Sequence, residues 1–167
     1  MLFRSDALRE NIDIYGLDVQ AQNVGLAERN GRQKFVYYPN MSVNSGFYAE
    51  PDAERRTTQT YLSNRRETGE DAAELLDDLF GAIEVECEIV RLSDVIREQG
   101  IAWIDLLKID VEKSELDVLR GLDAHDWPRI GALVIEIHDL DGRLASISEL
   151  LEAQGFQVAV RQTSALA

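Results

Sequence analysis

Cysteine is all but missing from this chain of 167 residues: Cys87 stands alone, so no internal disulfide can form. No Cys/His cluster has the spacing of a zinc site either. Cys87 lies mid-strand among apolar neighbours, and the glutamates beside it raise a thiol's pKa, so packing explains it better than nucleophilic attack. Positive charge is also short, with 17 Lys and Arg against 31 Asp and Glu and a formal charge of −14. That balance argues against a nucleic-acid partner, because affinity for a phosphate backbone rests on Lys and Arg. No signal peptide is expected, and there is no apolar run of about 20 residues, so the expectation is a cytoplasmic chain without a membrane span. G-x-G-x-x-G, P-loop and G-x-S-x-G motifs are absent, and no internal repeat or long linker divides the sequence.

What is present reads as one folded domain over 1–167, with 45% hydrophobic and 29% charged residues. SDALRENIDIYGL (5–17) places Ala7, Leu8, Ile12 and Tyr15 at helical spacing and stops at Gly16. VQAQNVGLAE (19–28) and QKFVYY (33–38) read as strands on either side of an Asn30-Gly31 turn. Residues 39–70 are irregular, a loop followed by the polar run ERRTTQTYLSNRRE, which suits a solvated helix or an excursion. DAAELLDDLFG (71–81) predicts a short helix with Leu75, Leu76, Leu79 and Phe80 on one face. The acidic stretches at 67–78 and 84–88 suit solvated faces.

After Gly81 the period changes. IEVECEIV (83–90) alternates Ile83, Val85, Cys87 and Ile89 with three glutamates, the pattern of a strand with one wet face near a sheet edge. SDVIREQG (93–100) predicts a helix with Ser93 as N-cap and Gly100 beyond its end. IDLLKID, ELDVLRGL, GALVIEIH, RLASISELLEAQG and FQVAV then alternate strand and helix to residue 160. These strands are apolar on both faces, so the pattern predicts an α/β fold: a mostly parallel sheet with helices on both faces. Trp103 and Trp127, each just before a strand, suit core or rim packing.

In open parallel sheets, ligands bind beyond the carboxyl ends of the strands. Here the end of IDLLKID delivers Asp110, with Glu112 and Glu115 close behind, and the end of GALVIEIH delivers Glu136, His138 and Asp139. Neighbouring strands lie about 4.8 Å apart, so the two sets would converge on one rim. Carboxylates with an imidazole could supply a general base, hold a metal, or grip hydroxyl and amine groups. Helix capping and the helix dipole account equally well for Glu112 and Glu115. Asp110 closes an apolar strand, where a charge is costly without a partner. Glu136 and His138 point to one side of their strand, which favours them as a pair.

IDLLKIDVEKSELDVLRGL (104–122) resembles the signature of the FkbM-type methyltransferases, in which a strand ending Lys-Ile-Asp-Val-Glu leads through Gly into a helix. RLSDVI, VIEIH and the stretch 10–31 fit the flanking segments, so the likeness runs from about 6 to 160. Lys113 stands where the family usually has Gly, so either the turn after Asp110 differs or a cation projects into the site. The resemblance implies a Rossmann-like doubly wound fold and S-adenosyl-L-methionine as cofactor. It implies transfer of the methyl to a hydroxyl of a small-molecule or natural-product acceptor. Asp110 would be both catalytic and cofactor-binding, Glu112 cofactor-binding, and Glu136 or His138, both catalytic candidates, would accept or steer the hydroxyl proton; a metal bridging Asp110 and Glu136 is compatible with this but not required. Acceptor selectivity is expected in 39–80.

The family's first strands and glycine-rich cofactor loop have no counterpart here, and the expectation is an N-terminally truncated domain. Losing a central strand of about five apolar side chains forfeits roughly 8–15 kcal/mol, comparable with a domain's whole stability of about 5–15 kcal/mol. Such a fragment would be marginally stable and a poor cofactor binder. Two other readings stay open: a non-catalytic acidic α/β binding module that keeps only the scaffold, and a metal-dependent hydrolase using Asp110, Glu136 and His138. Oligomeric state is open.

Overall fold

Alternation of apolar and charged residues draws 83–90 into a strand, and its neighbours settle around it. A computed structural model describes residues 4–64, 76, 78–139 and 141–162. In it β1 (Gly25–Leu26), β2 (Gly31–Tyr37) and β3 (Ile83–Val90) form one sheet in the order β1-β3-β2. β1 runs parallel to β3, and β2 antiparallel, from Gly31↔Ile89 to Tyr37↔Ile83. Two expectations change here. VQAQNVGLAE contributes two strand residues rather than most of its length, and β3 is central, not an edge strand. Its wet face is met instead by diagonal ion pairs from β2, Arg32–Glu86 and Lys34–Glu84, each at 2.7 Å. Alternation reports a solvated face, and says nothing of how many neighbours a strand has.

The second sheet is the parallel pair β4 (Leu107–Ile109) and β5 (Leu133–Ile135), in register Leu107↔Leu133 and Ile109↔Ile135. Parallel strands need a crossover. Here α4 (Glu115–Arg120) lies in it, while α3 (Leu92–Glu98) precedes β4 and α5 (Arg143–Ala153) follows β5. Ile96, Ile109, Val118, Leu119 and Ile147, each at most 2% exposed, make the main core. The opposite face of the pair is open: Leu106 is 56% and Val134 52% exposed, so strands read as buried on both sides are covered on one among the described residues. FQVAV does not add a further strand; residues 156–160 have no ladder, although Phe156 packs edge-on against the buried Trp127. The architecture is mixed α/β, built on two small sheets.

Helix α1 (Arg4–Tyr15) ends at Gly16, whose φ of 59° is the left-handed stop expected there. Its apolar stripe is not covered, since Leu8 and Tyr15 remain exposed. The polar run becomes α2 (Pro51–Asn64). Most of the helix predicted at 71–81 lies outside the described residues, but Leu76 and Phe80 bury against Tyr38 in a second, smaller core. Ser93 is not the N-cap of α3. Arg91 holds that place, and Ser93, 2% exposed, spends its hydroxyl on Asp126 and on the Asp123 N–H. Among the described residues, no helix is long and apolar enough to cross a membrane.

Candidate functional site

At the carboxyl end of β4 the chain leaves the sheet at Asp110 and reverses through Glu112 and Lys113, whose φ values are 45° and 71°. The left-handed φ at Lys113 shows that the turn keeps a backbone suited to glycine even with lysine in place. The reversal brings Ser114 to the start of α4 and drives Glu115 inward, where it is fully buried. The Lys113 N–H donates to Glu115 Oε1 at 2.9 Å. From the neighbouring strand, the segment after β5 carries His138 into the same space. Its Nε2 lies 3.3 Å from Glu112 Oε2, and its Nδ1 lies 3.6 Å from Glu115 Oε1. Arg143, the first residue of α5, closes the far side with Nη1 3.5 Å from Glu115 Oε2.

Four buried polar atoms here make no hydrogen bond: Ser114 Oγ, Glu115 Oε2, His138 Nδ1 and Arg143 Nη1. Burial pushes the Glu112 carboxyl up, against the pull of His138 and with the added repulsion of Asp110, Glu136 and Glu115. One side chain thus feels every member of the two strand-end sets singled out in the sequence except Asp139. Asp110 and Glu136 stand at the rim rather than in the cluster: Asp110 accepts a hydrogen bond from Lys108, and Glu136 is exposed. Asp139 Oδ1 accepts the Leu144 N–H in the first turn of α5, an anchoring contact.

Two neighbours of the cluster escaped the sequence reading. Arg143 could be seen only as the opening of a helix. Tyr48 belongs to the irregular loop, and donates to Asp117 at 2.6 Å; that hydrogen bond, with burial, pushes its phenol up to about 12. The same loop touches the turn at Gly46, where an added Cβ would sit 3.1 Å from the Glu112 carbonyl oxygen. Cys87 is a half-buried strand residue whose thiol is pushed up by burial. Trp127 is core, whereas Trp103 is exposed and donates to Asp105. Glu84 and Glu86 of β3 are engaged with β2, as described above. Among the described residues, the set of three carboxylate and imidazole ligand atoms near enough to share a cation is Asp123, His125 and Asp126, away from this rim.

The acids and the imidazole stand beyond the carboxyl ends of a parallel strand pair, the place where open α/β sheets bind ligands. The sequence matches the methyltransferase FkbM domain over residues 7–158, and the chain belongs to that family. It is 40% identical over 157 residues to the 31-O-demethyl-FK506 methyltransferase FkbM of Streptomyces tacrolimicus, covering 93% of this chain and 60% of that protein. It is 36% identical to the methyltransferase sdnD of Sordaria araneosa, covering 84% of this chain and 54% of that one. A 38% identical stretch also covers 95% of this chain but 8% of the AMB antimetabolite synthetase AmbE of Pseudomonas aeruginosa. The chain therefore spans little more than half the length of the two methyltransferases. No solved structure matches.

Proposed function

We propose that this chain carries the strand-end acids and imidazole of an S-adenosyl-L-methionine-dependent O-methyltransferase, set in a Rossmann-like doubly wound sheet, that acts on a hydroxylated small molecule or natural product. The observation that carries the reading is the placement of His138 between Glu112 and Glu115 at the ends of a parallel strand pair. The name of the FK506-directed relative, which specifies an O-demethylated substrate, supports oxygen as the acceptor atom.

The donor set fits the cofactor in part. Carboxylates at Asp110 and Glu112 suit ribose hydroxyls, an ammonium group and a neighbouring positive charge, and the orphaned buried atoms beside them call for a polar ligand. A glycine-rich turn for the methionine end has no counterpart in these 167 residues, and we assign that grip to sequence outside them. When bound, S-adenosyl-L-methionine supplies an electrophilic methyl on a positively charged sulfur. Asp110 and Glu112 hold and orient; His138 takes the acceptor's hydroxyl proton at Nε2, where Glu112 offsets the charge it gains. Glu115 sets a negative charge behind the imidazole, 3.6 Å from Nδ1, and Glu136 steers the hydroxyl from the rim. Alignment supplies most of the acceleration in such a displacement. The loop bearing Gly46 and Tyr48, which rests on the turn, is the place for acceptor selectivity.

The test is transfer of labelled methyl from S-adenosyl-L-methionine by the full-length enzyme. Asp110→Asn is expected to cut turnover by about tenfold or more, within the general range for a positioned acid or base, with an unchanged melting temperature. Near-normal turnover would remove Asp110 from the site.

A further inference from the structure

At the opposite end of the β4–β5 pair, in the loop between α4 and β5, a second polar cluster has no part in the reading above. One ligand atom each from Asp123, His125 and Asp126 lies within 4.8 Å of the others. Asp126 is 1% exposed, yet its Oδ1 makes no hydrogen bond. Its other oxygen is held. The Ser93 hydroxyl donates to Oδ2 at 2.6 Å and itself accepts the Asp123 N–H at 2.7 Å. The carboxylate is thereby fixed with Oδ1 turned to the imidazole, 3.5 Å from His125 Nε2.

We propose that Asp123, His125 and Asp126 bind one divalent transition-metal ion of the zinc class. In a tetrahedral centre with bonds about 2.0–2.1 Å long, neighbouring donor atoms stand about 3.3–3.4 Å apart, and the His125–Asp126 pair is already near that spacing. One imidazole and two carboxylates suit zinc or manganese better than calcium, and their two negative charges neutralise the ion. Ser93 is the outer hydrogen-bonding partner that ligating carboxylates commonly have. Asp123 keeps Arg91 on Oδ1 at 2.7 Å and offers Oδ2. The resident counter-ion is Arg129, with Nη1 3.3 Å from Asp126 Oδ1; its side chain is 42% exposed, so it can swing into water as a metal enters. His125, 70% exposed, is free to turn inward. A cavity of about 460 Å³ lined by Ile96, Ile101, His125, Asp126 and Arg129 adjoins the cluster and leaves room for a water as fourth ligand.

The chain's two histidines make the test direct. Zn2+ is titrated into the metal-free, untagged full chain, followed by calorimetry and by the imidazole nitrogen spectrum. One ion per chain is expected, moving the His125 resonances and leaving those of His138 in place. His125→Ala and Asp123→Asn, both at exposed or half-exposed positions, should each weaken binding at least tenfold, and His138→Ala should leave it unchanged. Absence of binding at millimolar Zn2+, undiminished affinity in both variants, or an ion that moves His138 instead would each overturn the proposal, and none of these bears on methyl transfer.

Discussion

Lys113 occupies backbone space that glycine fills at less cost. With φ at 71°, its Cβ crowds the neighbouring carbonyl, a strain of about 1–2 kcal/mol for an L-residue, offset in part by glycine's larger entropy loss on folding. Lys113→Gly is expected to stabilise the fold by about 0.5–1 kcal/mol in urea denaturation. A loss of stability would mean that contacts of the lysine side chain outweigh the strain. Its neighbour Glu112 has a carboxyl raised chiefly by burial, so the folded state holds its proton more tightly than the unfolded chain does. Stability then falls as pH rises from the ordinary glutamate value through the raised one, and the penalty is complete above it. Glu112→Gln should therefore melt higher than the parent at neutral pH, with the difference closing as pH drops below the ordinary carboxyl range. An equal or widening gap in acid would show that His138 stabilises the charge more than burial penalises it.

Among the elements, periodicity made the second half legible and misled where tertiary contacts decide. ELDVLRGL and RLASISELLEAQG fold as helices because their apolar residues meet the β4–β5 pair, and the strand ends deliver Asp110 and His138 where the alternation of strand and helix puts them. Ser93 looked like a helix cap because Ser before an apolar run usually is one; its buried hydroxyl finds a stronger partner in the Asp126 carboxylate, and the helix is capped two residues earlier, at Arg91. Asn30 was legible as a turn residue only. Its side chain also reaches across sixty-odd positions to Asp94 and accepts the Arg91 N–H, contacts that no local window contains. The same limit hid Arg143 and Tyr48. Each is an ordinary surface type by sequence, and each joins the cluster because a distant segment folds back on the turn after β4.

Across the whole molecule, the two sheets share no ladder among the described residues, and beside the loop at Gly46 and Tyr48 they are joined by packing between the chain after β1 and the end of α4. Leu26 leans on the main core, and the Ala27 N–H is bonded to Val90 in the next strand. Gly121 lies where these parts meet. Its φ of −73° suits any residue, so conformation does not require glycine there. Space does: a Cβ would come 2.4 Å from the Ala27 carbonyl oxygen and 3.1 Å from that of Val118, and both are backbone atoms with little freedom to retreat. The Gly121 carbonyl also accepts the Ser93 N–H, tying the same point to α3. Gly121→Ala is expected to destabilise by about 1–3 kcal/mol, the usual range for overpacking, by forcing the β1 side away from the core. Thermal unfolding followed by both far-ultraviolet and tryptophan signals would register it, because Trp127 reports on the core while the β1–β3 sheet contributes to the backbone signal. An unchanged midpoint in both would mean that the sheets do not close on each other at this glycine.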